Sequence, residues 1–356
     1  MSDDFGSKRS LPRVAVVIPI INEASTLGDT LGALLEQDYP AELYEILVVD
    51  GGSSDGWRGV LASLNAERVH IRVLLNPKRS TPAALNLALA STDADAILWI
   101  SGHCVLSPNY ISAAARAFAE WPGQVVGGRL LVRGEGVRGR LNAMVLSSRF
   151  GTGMAPLRFE ARPGATQSVT FALYGRRQLQ KIGGLDERFR RNQDNDLWHR
   201  LRQTGASFRR VDAVATYLAP TTFAGLWRRA WGNGSWNIWS QRLRRGGLNW
   251  WHFAPMTMVG SGVLLTVVSL WIRPARLVFL ALVAAYAALA IASAWSAARS
   301  ARAWWARPIL PFLFLIHHAI YGMGSWLALL RPVPTVRRGA ERHLEPQSLA
   351  KGGAAP

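Results

Sequence analysis

Val48-Val49-Asp50-Gly51-Gly52-Ser53-Ser54-Asp55-Gly56 closes one short apolar run, and Val17-Ile18-Pro19-Ile20-Ile21-Asn22-Glu23 closes another about 30 residues earlier. Each run is β-branched and breaks abruptly into polar residues, the pattern of a buried strand feeding a loop. Outward from these two loops, strands and helices alternate. Val14–Ile18 reads as the first strand. Ala24–Gln37 has helical spacing, with Leu27, Leu31, Leu34 and Leu35 on one face. Glu45–Val49 is a second strand, followed by a helix over roughly 56–65. Ile71–Leu75 is a third strand, and Thr81–Ala90 a helix with Pro82 in its first turn, where proline is tolerated. Ile97–Ile100 is a fourth strand, and Pro108–Glu120 a helix. Apolar strands alternating with helices predict an α/β domain over 13–220, built on a mostly parallel sheet covered on both faces. In such sheets ligands bind beyond the carboxyl ends of the strands, where both polar loops lie.

The chain has 356 residues, of which 49% are hydrophobic and 18% charged, with a formal charge of +18. Strong positive charge favours anionic membranes, phosphate-bearing substrates or nucleic acid. The arginines are dispersed and form no nucleic-acid module, so no nucleic-acid partner is expected. Cys104 is the single cysteine, which excludes an internal disulfide and a cysteine-held zinc. The polar start, residues 1–12, reads as a flexible N-terminus without the apolar core of a secretory signal.

Beyond residue 220 the composition changes. Residues 221–253 carry Trp227, Trp231, Trp236, Trp239, Trp250 and Trp251 among Arg228, Arg229, Arg242, Arg244 and Arg245. Tryptophan and arginine together mark a segment at a bilayer interface. A membrane region over 254–330 follows, with three uncharged segments at 254–272, 277–295 and 308–330. Each approaches the 20 or so apolar residues needed to span a bilayer. Arg273-Pro274-Ala275-Arg276 reads as a tight hairpin between the first two. The third holds Pro308, Pro311, His317 and His318 and is either re-entrant or wedged between the others. Residues 331–356 read as a disordered tail.

The motifs have a collective resemblance. P-x-x-N-E followed by V-D-G-G-S-S-D-G resembles the opening of a family 2 glycosyltransferase, whose catalytic domain has the GT-A fold. Asn76-Pro77-Lys78-Arg79 with Pro82, Ala84, Leu85 and Asn86 continues the match. So does Gly183-Gly184-Leu185-Asp186-Glu187-Arg188-Phe189, leading into Asn192-Gln193-Asp194-Asn195-Asp196-Leu197 and Arg200. The N-Q-D spelling, with Tyr174-Gly175-Arg176-Arg177 upstream, is similar to the succinoglycan-type branch. The resemblance covers about 13–215. It implies an inverting transferase moving a sugar from a nucleoside-diphosphate donor, a UDP-sugar by analogy, to a lipid-linked or membrane-proximal glycan acceptor. It also implies a cell-membrane enzyme of bacterial polysaccharide synthesis with its catalytic domain in the cytoplasm.

Inverting transfer needs a base for the acceptor hydroxyl and charge stabilisation for the departing diphosphate. The resemblance assigns the base to Asp194. As a residue type at a helix start, Asp194 has an N-cap as its ordinary reading. The nucleotide-sugar side maps onto Pro19, Asn22, Glu23, Asp50, Gly51, Ser53, Asp55, Lys78, Arg79, Asn86, Ser101, Gly102 and His103. Asp55 serves either there or as the cap of the helix starting near Gly56. Gln193, Arg229 and Trp231 are candidates for the acceptor side, although the glutamine that relatives carry ahead of the Arg-Trp pair is absent. Asp196 and Arg200, four apart, read as an intrahelical pair.

The metal position departs from the pattern. Relatives carry D-x-D or D-A-H after the fourth strand, where this chain has Ser101-Gly102-His103. His103 is left as the candidate ligand for Mg2+ or Mn2+. Asp93-Ala94-Asp95 precedes that strand and reads as a solvated turn at its amino end. Either a divalent cation is held more weakly, or Lys78 and Arg79 take over part of its role, or the chain is a catalytically degenerate homologue acting as a membrane scaffold or partner subunit. A dinucleotide oxidoreductase is disfavoured, because no G-x-G-x-x-G follows the first strand.

Overall fold

The computed structural model describes residues 10–64, 68–153 and 162–334. The flexible start and disordered tail expected from the sequence fall, at 1–9 and 335–356, outside the described residues.

Four strands form the parallel half of the sheet. They are β1 (Val14–Ile20), β2 (Tyr44–Asp50), β3 (His70–Leu75) and β4 (Ala96–Trp99), in the spatial order β3-β2-β1-β4. The helices between them are α1 (Ala24–Leu35), α2 (Trp57–Ala62) and α3 (Thr81–Ala90). Side chains alternate along β1. Val14, Val16 and Ile18 enter a core beneath α1 and α4 (Tyr110–Glu120), whereas Ala15 and Val17 enter a second core beneath α3 and α8 (Gln193–Gln203). Burial on both faces explains why these strands are continuous apolar runs rather than alternating ones.

The other half of the sheet departs from the expected parallel pattern. β5 (Cys104–Leu106), β6 (Val125–Arg133), β7 (Gly164–Thr166), β8 (Leu173–Gly175) and β9 (Phe208–Leu218) extend it as β4-β8-β6-β9-β5, with β7 also on β9. Here only β6 and β9 run parallel, and the other pairings are antiparallel. The sheet is therefore mixed. β7 and β8 are three residues each, too short to leave a periodic signal.

Helices α5 (Gly136–Ser147) and α6 (Arg149–Thr152) lead toward the C-terminal region, and α7 (Arg176–Lys181) follows β8. The C-terminal region holds α9 (Phe223–Leu243), α10 (Ala254–Val268), α11 (Arg273–Ser300) and α12 (Leu310–Leu329). Three stretches, Trp250–Val268, Arg273–Ser300 and Leu310–Leu329, are long and apolar enough to cross a membrane. Arg273-Pro274-Ala275-Arg276 is not a hairpin. It is the first turn of α11, where the missing proline N–H costs nothing, and the reversal falls at 269–272. The third segment is one continuous helix with Pro311 in its first turn, packed against α9, α10 and α11. Small residues let α9 and α12 meet closely: a Cβ on Gly234 would lie 2.0 Å from the Tyr321 carbonyl oxygen. A third core ties these helices to the α/β domain through Leu141, Val145, Leu226, Ala294, Leu310 and Phe314.

Candidate functional site

β1 is flanked by β2 and β4, all parallel, with Ile20 beside Asp50 and Val17 beside Trp99. The loops after these three strands therefore emerge side by side. They are laced together by backbone and side-chain hydrogen bonds. Gly51 N donates to the Ile20 carbonyl at 2.9 Å. Asn22, in the left-handed region at φ 55°, donates its N–H to Ser53 Oγ at 2.9 Å and accepts from Ser54 N at 2.8 Å. Asp50 is 2% exposed, and its Oδ1 accepts from both Ser53 N and Ser53 Oγ, at 2.8 and 2.7 Å.

Glu23 and His103 meet across this edge, with Oε1 and Nδ1 3.1 Å apart. Glu23 Oε2 and the neighbouring Ser101 Oγ are buried without a hydrogen-bond partner. Burying a polar atom unpaired costs free energy, so both atoms call for a partner such as a water, an ion or a ligand. Gly102 makes the arrangement possible, because a Cβ there would lie 2.1 Å from Glu23 Oε2. The Gly102 carbonyl is held by Thr26 and Thr30 of α1, at 2.8 and 3.0 Å.

The loop after β3 joins the same edge. Arg79, at φ 50°, donates to the Gly52 carbonyl at 3.0 Å. Lys78 Nζ is 2.8 Å from Glu187 Oε2. Burial alone would raise the Glu187 carboxyl, but hydrogen bonds from Lys78 and Asn86 outweigh it and hold the carboxyl below its usual value. Asn86 clamps Leu185 at both backbone groups, accepting at 2.8 Å and donating at 2.9 Å. Its amide thus fixes the 183–187 turn rather than projecting free into the site. Asp55 caps neither the helix that follows it nor its own turn. Its Oδ2 accepts from Ala24 N at 2.7 Å and so caps α1, while α2 starts from Gly56. Asp93-Ala94-Asp95 lies at the amino end of β4, where Asp95 accepts from Arg13 N at 2.8 Å.

The second half of the site is built around the start of α8. The cap position belongs to Asn192, in the left-handed region at φ 59°, so Asp194 is not the cap. Asp194 Oδ1 accepts from Asn195 N at 2.9 Å. One face of α9 grips the segment before it. Arg191 Nη1 donates to Asn233 Oδ1 at 3.2 Å, and Asn192 Nδ2 donates to Asn237 Oδ1 at 3.0 Å and Ser240 Oγ at 3.2 Å. Beyond the helix end, Arg244 Nε lies 2.6 Å from Asp196 Oδ1, an ion pair off the line of a hydrogen bond, and Nη2 is 3.2 Å from Asp186 Oδ2. Arg200 holds the other Asp196 oxygen at 2.8 Å.

Asp194 and Gln193 open onto a cavity of about 710 Å³ whose far wall is formed by α10, α11 and α12. Arg229 lines it and donates to the Tyr217 hydroxyl, with its guanidinium 5.0 Å from that ring centre. The other edge of Tyr217 meets His103, with ring centres 5.0 Å apart. The strand-end loops and the cavity thus share one wall.

The glycosyl transferase family 2 model matches residues 15–183, which contain every strand-end loop just described. The chain carries a family 2 glycosyltransferase domain. The succinoglycan biosynthesis protein ExoA of Rhizobium meliloti (strain 1021) is 29% identical over 222 residues, 62% of this chain and 66% of that protein. The glycosyltransferase AglE of Haloferax volcanii is 27% identical over 122 residues, 34% of this chain and 40% of that protein. The matches thus span less than two thirds of either relative's length. Among solved structures, the mannosyltransferase PcManGT from Pyrobaculum calidifontis, in complex with GDP-Man and Mn2+, covers 88% of both chains at 19% identity. Its TM-score of 0.57 shows a shared GT-A-like fold.

Within this glycosyltransferase domain the structure gathers Pro19, Asn22, Glu23, Asp50, Gly51, Ser53, Arg79, Ser101, Gly102 and His103 at one edge. Gln193, Asp194 and Arg229 border the cavity. Trp231, expected beside Arg229, does not line it and is 36% exposed. Two residues along a helix is a turn of about 200°, so neighbours at that spacing face opposite ways. Arg191, Tyr217 and Trp251 also border the cavity and escaped the sequence reading. A signal for the α9 contacts existed: Arg229, Asn233, Asn237 and Ser240 recur at helical spacing within the Trp-rich run.

Proposed function

We propose that the protein is a membrane-anchored inverting glycosyltransferase. The strand-end loops take the nucleoside-diphosphate sugar, and the acceptor reaches Asp194 from the membrane side. Glu23 and Asp50 are the carboxylates for nucleotide and ribose hydroxyls, and Lys78 and Arg79, in the loop after β3, are the cations for the diphosphate. Asp194 takes the proton of the acceptor hydroxyl as its oxygen bonds to the anomeric carbon. The bond from that carbon to the diphosphate oxygen breaks on the opposite face, and the electron pair leaves with the nucleoside diphosphate. A UDP-sugar donor is the choice by family analogy.

The observation that carries this reading is the cavity, which runs from Asp194 to the three apolar helices. An acceptor approaching a base from the bilayer side is a lipid-linked one, with the α/β domain at the cytoplasmic surface. The residues present do not make a divalent-cation site by themselves. Among the described residues no three His, Cys, Asp or Glu side chains cluster, and the carboxylate beside His103 is engaged by it. No step is therefore assigned to a metal ion.

The test is Asp194→Asn in detergent-solubilised protein. The amide keeps an oxygen for Asn195 N but cannot take a proton. Transfer should fall about 10²- to 10⁴-fold, the usual contribution of a general base, while nucleotide affinity stays at the wild-type value. Wild-type turnover by this variant removes Asp194 from the mechanism.

A further inference from the structure

α12 has the length and apolarity of a membrane span, yet the α/β domain and α9 hold it from its first turn to its last. Leu310 and Leu313 share a core with Leu141 and Val145 of α5. The Phe314 ring lies 5.3 Å from that of Phe150 in α6, and His318 Nε2 lies 2.8 Å from the Phe150 carbonyl oxygen. Farther along, Ser325 Oγ donates to the Gly234 carbonyl at 2.9 Å. Arg242 donates to the carbonyls of Ala328, Leu329 and Arg331, at 3.2, 2.7 and 2.6 Å. Setting α12 across a bilayer would carry α5, α6 and α9 into the hydrocarbon with it. α9 would bring Arg229 and Arg242, charged groups that hydrocarbon strongly disfavours. The opposite face of α12 is bare and apolar. Phe312, Leu315, Met323, Trp326 and Leu330 recur there at helical spacing, all exposed. A helix packed on one side and apolar on the other fits the plane of a membrane, its bare face sunk about 5–10 Å.

α10 and α11 are different. Every residue of α10 is at least partly exposed, and α11 buries only Ala290, Ala294 and Ala298, all in its second half. α11 meets the α/β domain at Tyr286, whose ring lies 5.4 Å from that of Phe150. Before Tyr286, the side chains of Leu277, Val278, Leu280, Leu282 and Val283 are exposed all round the helix, as a segment surrounded by hydrocarbon requires. From Arg273 to Tyr286 this stretch reaches about 20 Å, at 1.5 Å per residue. With the depth of α12 the reach becomes about 25–30 Å, close to the thickness of the hydrocarbon core. At its end stand Trp271, 77% exposed, Arg273 and Arg276. Tryptophan and arginine settle at headgroup level. The turn between α11 and α12 has the same signature. Arg307 lies 3.4 and 3.8 Å from the ring centres of Trp295 and Trp304, and Arg140 of α5 covers Trp305 at 5.6 Å.

We propose that only α10 and α11 cross the bilayer, as a hairpin with Trp271 and Arg273 at the far headgroups, while α12 lies in the membrane plane beneath the α/β domain. The exposed Phe312–Leu330 stripe then rests on acyl chains, and Arg331 stays on the side of the α/β domain. This rests on the membrane-anchored reading above and says how the anchor meets the lipid.

Cysteine labelling in membranes of expressing cells tests the crossings. The native Cys104 is buried, so single cysteines at the exposed positions Glu120, Arg273 and Arg331 report alone. A membrane-impermeant maleimide should reach E120C and R331C from one side and R273C only from the other. Labelling of R331C from the same side as R273C means three crossings. Labelling of R273C from the side of E120C, or from neither side, means a hairpin that stops within the bilayer. Either result overturns the proposal. Spin labels on F312C and M323C, both on the exposed stripe, read the attitude of α12 independently. In proteoliposomes of phosphatidylcholine and phosphatidylglycerol, relaxation by oxygen against a water-soluble nickel chelate should put both at one depth, about 5–10 Å. A spanning helix would separate them by about 16 Å along the membrane normal, and that separation also overturns the proposal. All five side chains are exposed, so the substitutions leave the packing intact. Neither measurement needs sugar transfer. Failure of the wild-type chain to float with vesicles would defeat the anchored reading itself and this proposal with it, a result distinct from either label pattern.

Discussion

Gly102→Ala is a one-methyl perturbation that separates fold from function at the strand-end edge. The new Cβ would sit 2.1 Å from Glu23 Oε2 and 3.0 Å from Ile20 Cγ2. The first contact is impossible, so the Glu23 carboxylate must swing away and leave His103. The pair is 22% and 31% exposed, and the displaced atom is the end of a flexible side chain. Losing such a pair costs at most about 1 kcal/mol, a fall in Tm of about 2–4 °C for a domain this size. Ligand binding is hit harder. A charged hydrogen bond from Glu23 to the nucleotide is worth about 1.5–3 kcal/mol, or roughly a 10- to 150-fold loss of affinity. Calorimetric titration with UDP and GDP, beside thermal unfolding of the same preparation, reads both quantities. Affinity within twofold of wild type would refute the placing of Glu23 against the donor. A fall in Tm beyond 10 °C would show that the clash is absorbed by the sheet, contrary to the flexible-end argument.

Arg244→Ala removes the tie between the end of α9 and the first turn of α8. Arg200 still compensates Asp196, and Arg244 is 37% exposed, so the loss should be about 1–2 kcal/mol by thermal unfolding. An unchanged Tm would show the tie to be incidental. Arg188, with lesser help from Arg244, holds the Asp186 carboxyl below its ordinary 3.8. Its stabilising contribution is therefore full above pH 3.8 and lost as pH falls through the depressed folded value, visible as a Tm decline in acid that Asp186→Asn makes shallower. Ser101→Asp supplies a carboxylate two residues before His103, so Mn2+ should bind more tightly than to wild type by titration. No gain would mean that the geometry after β4 cannot hold an ion.

Much of the parallel half was legible because each strand is buried on both faces and each loop breaks sharply into polar residues. Asp50, Glu23 and His103 could be placed at one edge from strand order alone. Asp55 could not, because its partner, Ala24 N, belongs to a helix about 30 residues away, and local rules favoured the nearer helix. Asn86 read as a ligand contact because its distant partner, the Leu185 backbone, leaves no trace in local sequence. In the other half β5, β7 and β8 have three residues each and carry no period, whereas β6 and β9 are long enough to show one and went unread.

Taken by itself, the sequence determined what depends on near neighbours: apolar strands ending in acidic loops, three apolar helices, and an arginine- and tryptophan-rich segment between. Burial and length are properties of a run of residues, so a run suffices to read them. The tertiary structure alone decided which distant groups share a cavity. Arg191 and Arg229 are 38 residues apart, yet both border the cavity because α9 folds back over the segment before Asp194. Gly232 is unremarkable in sequence, and Gly102 reads there only as the middle of Ser101-Gly102-His103. They matter because a carboxylate fills the space a methyl would take at one, and a guanidinium at the other. Such volume exclusion acts between elements that only folding brings together.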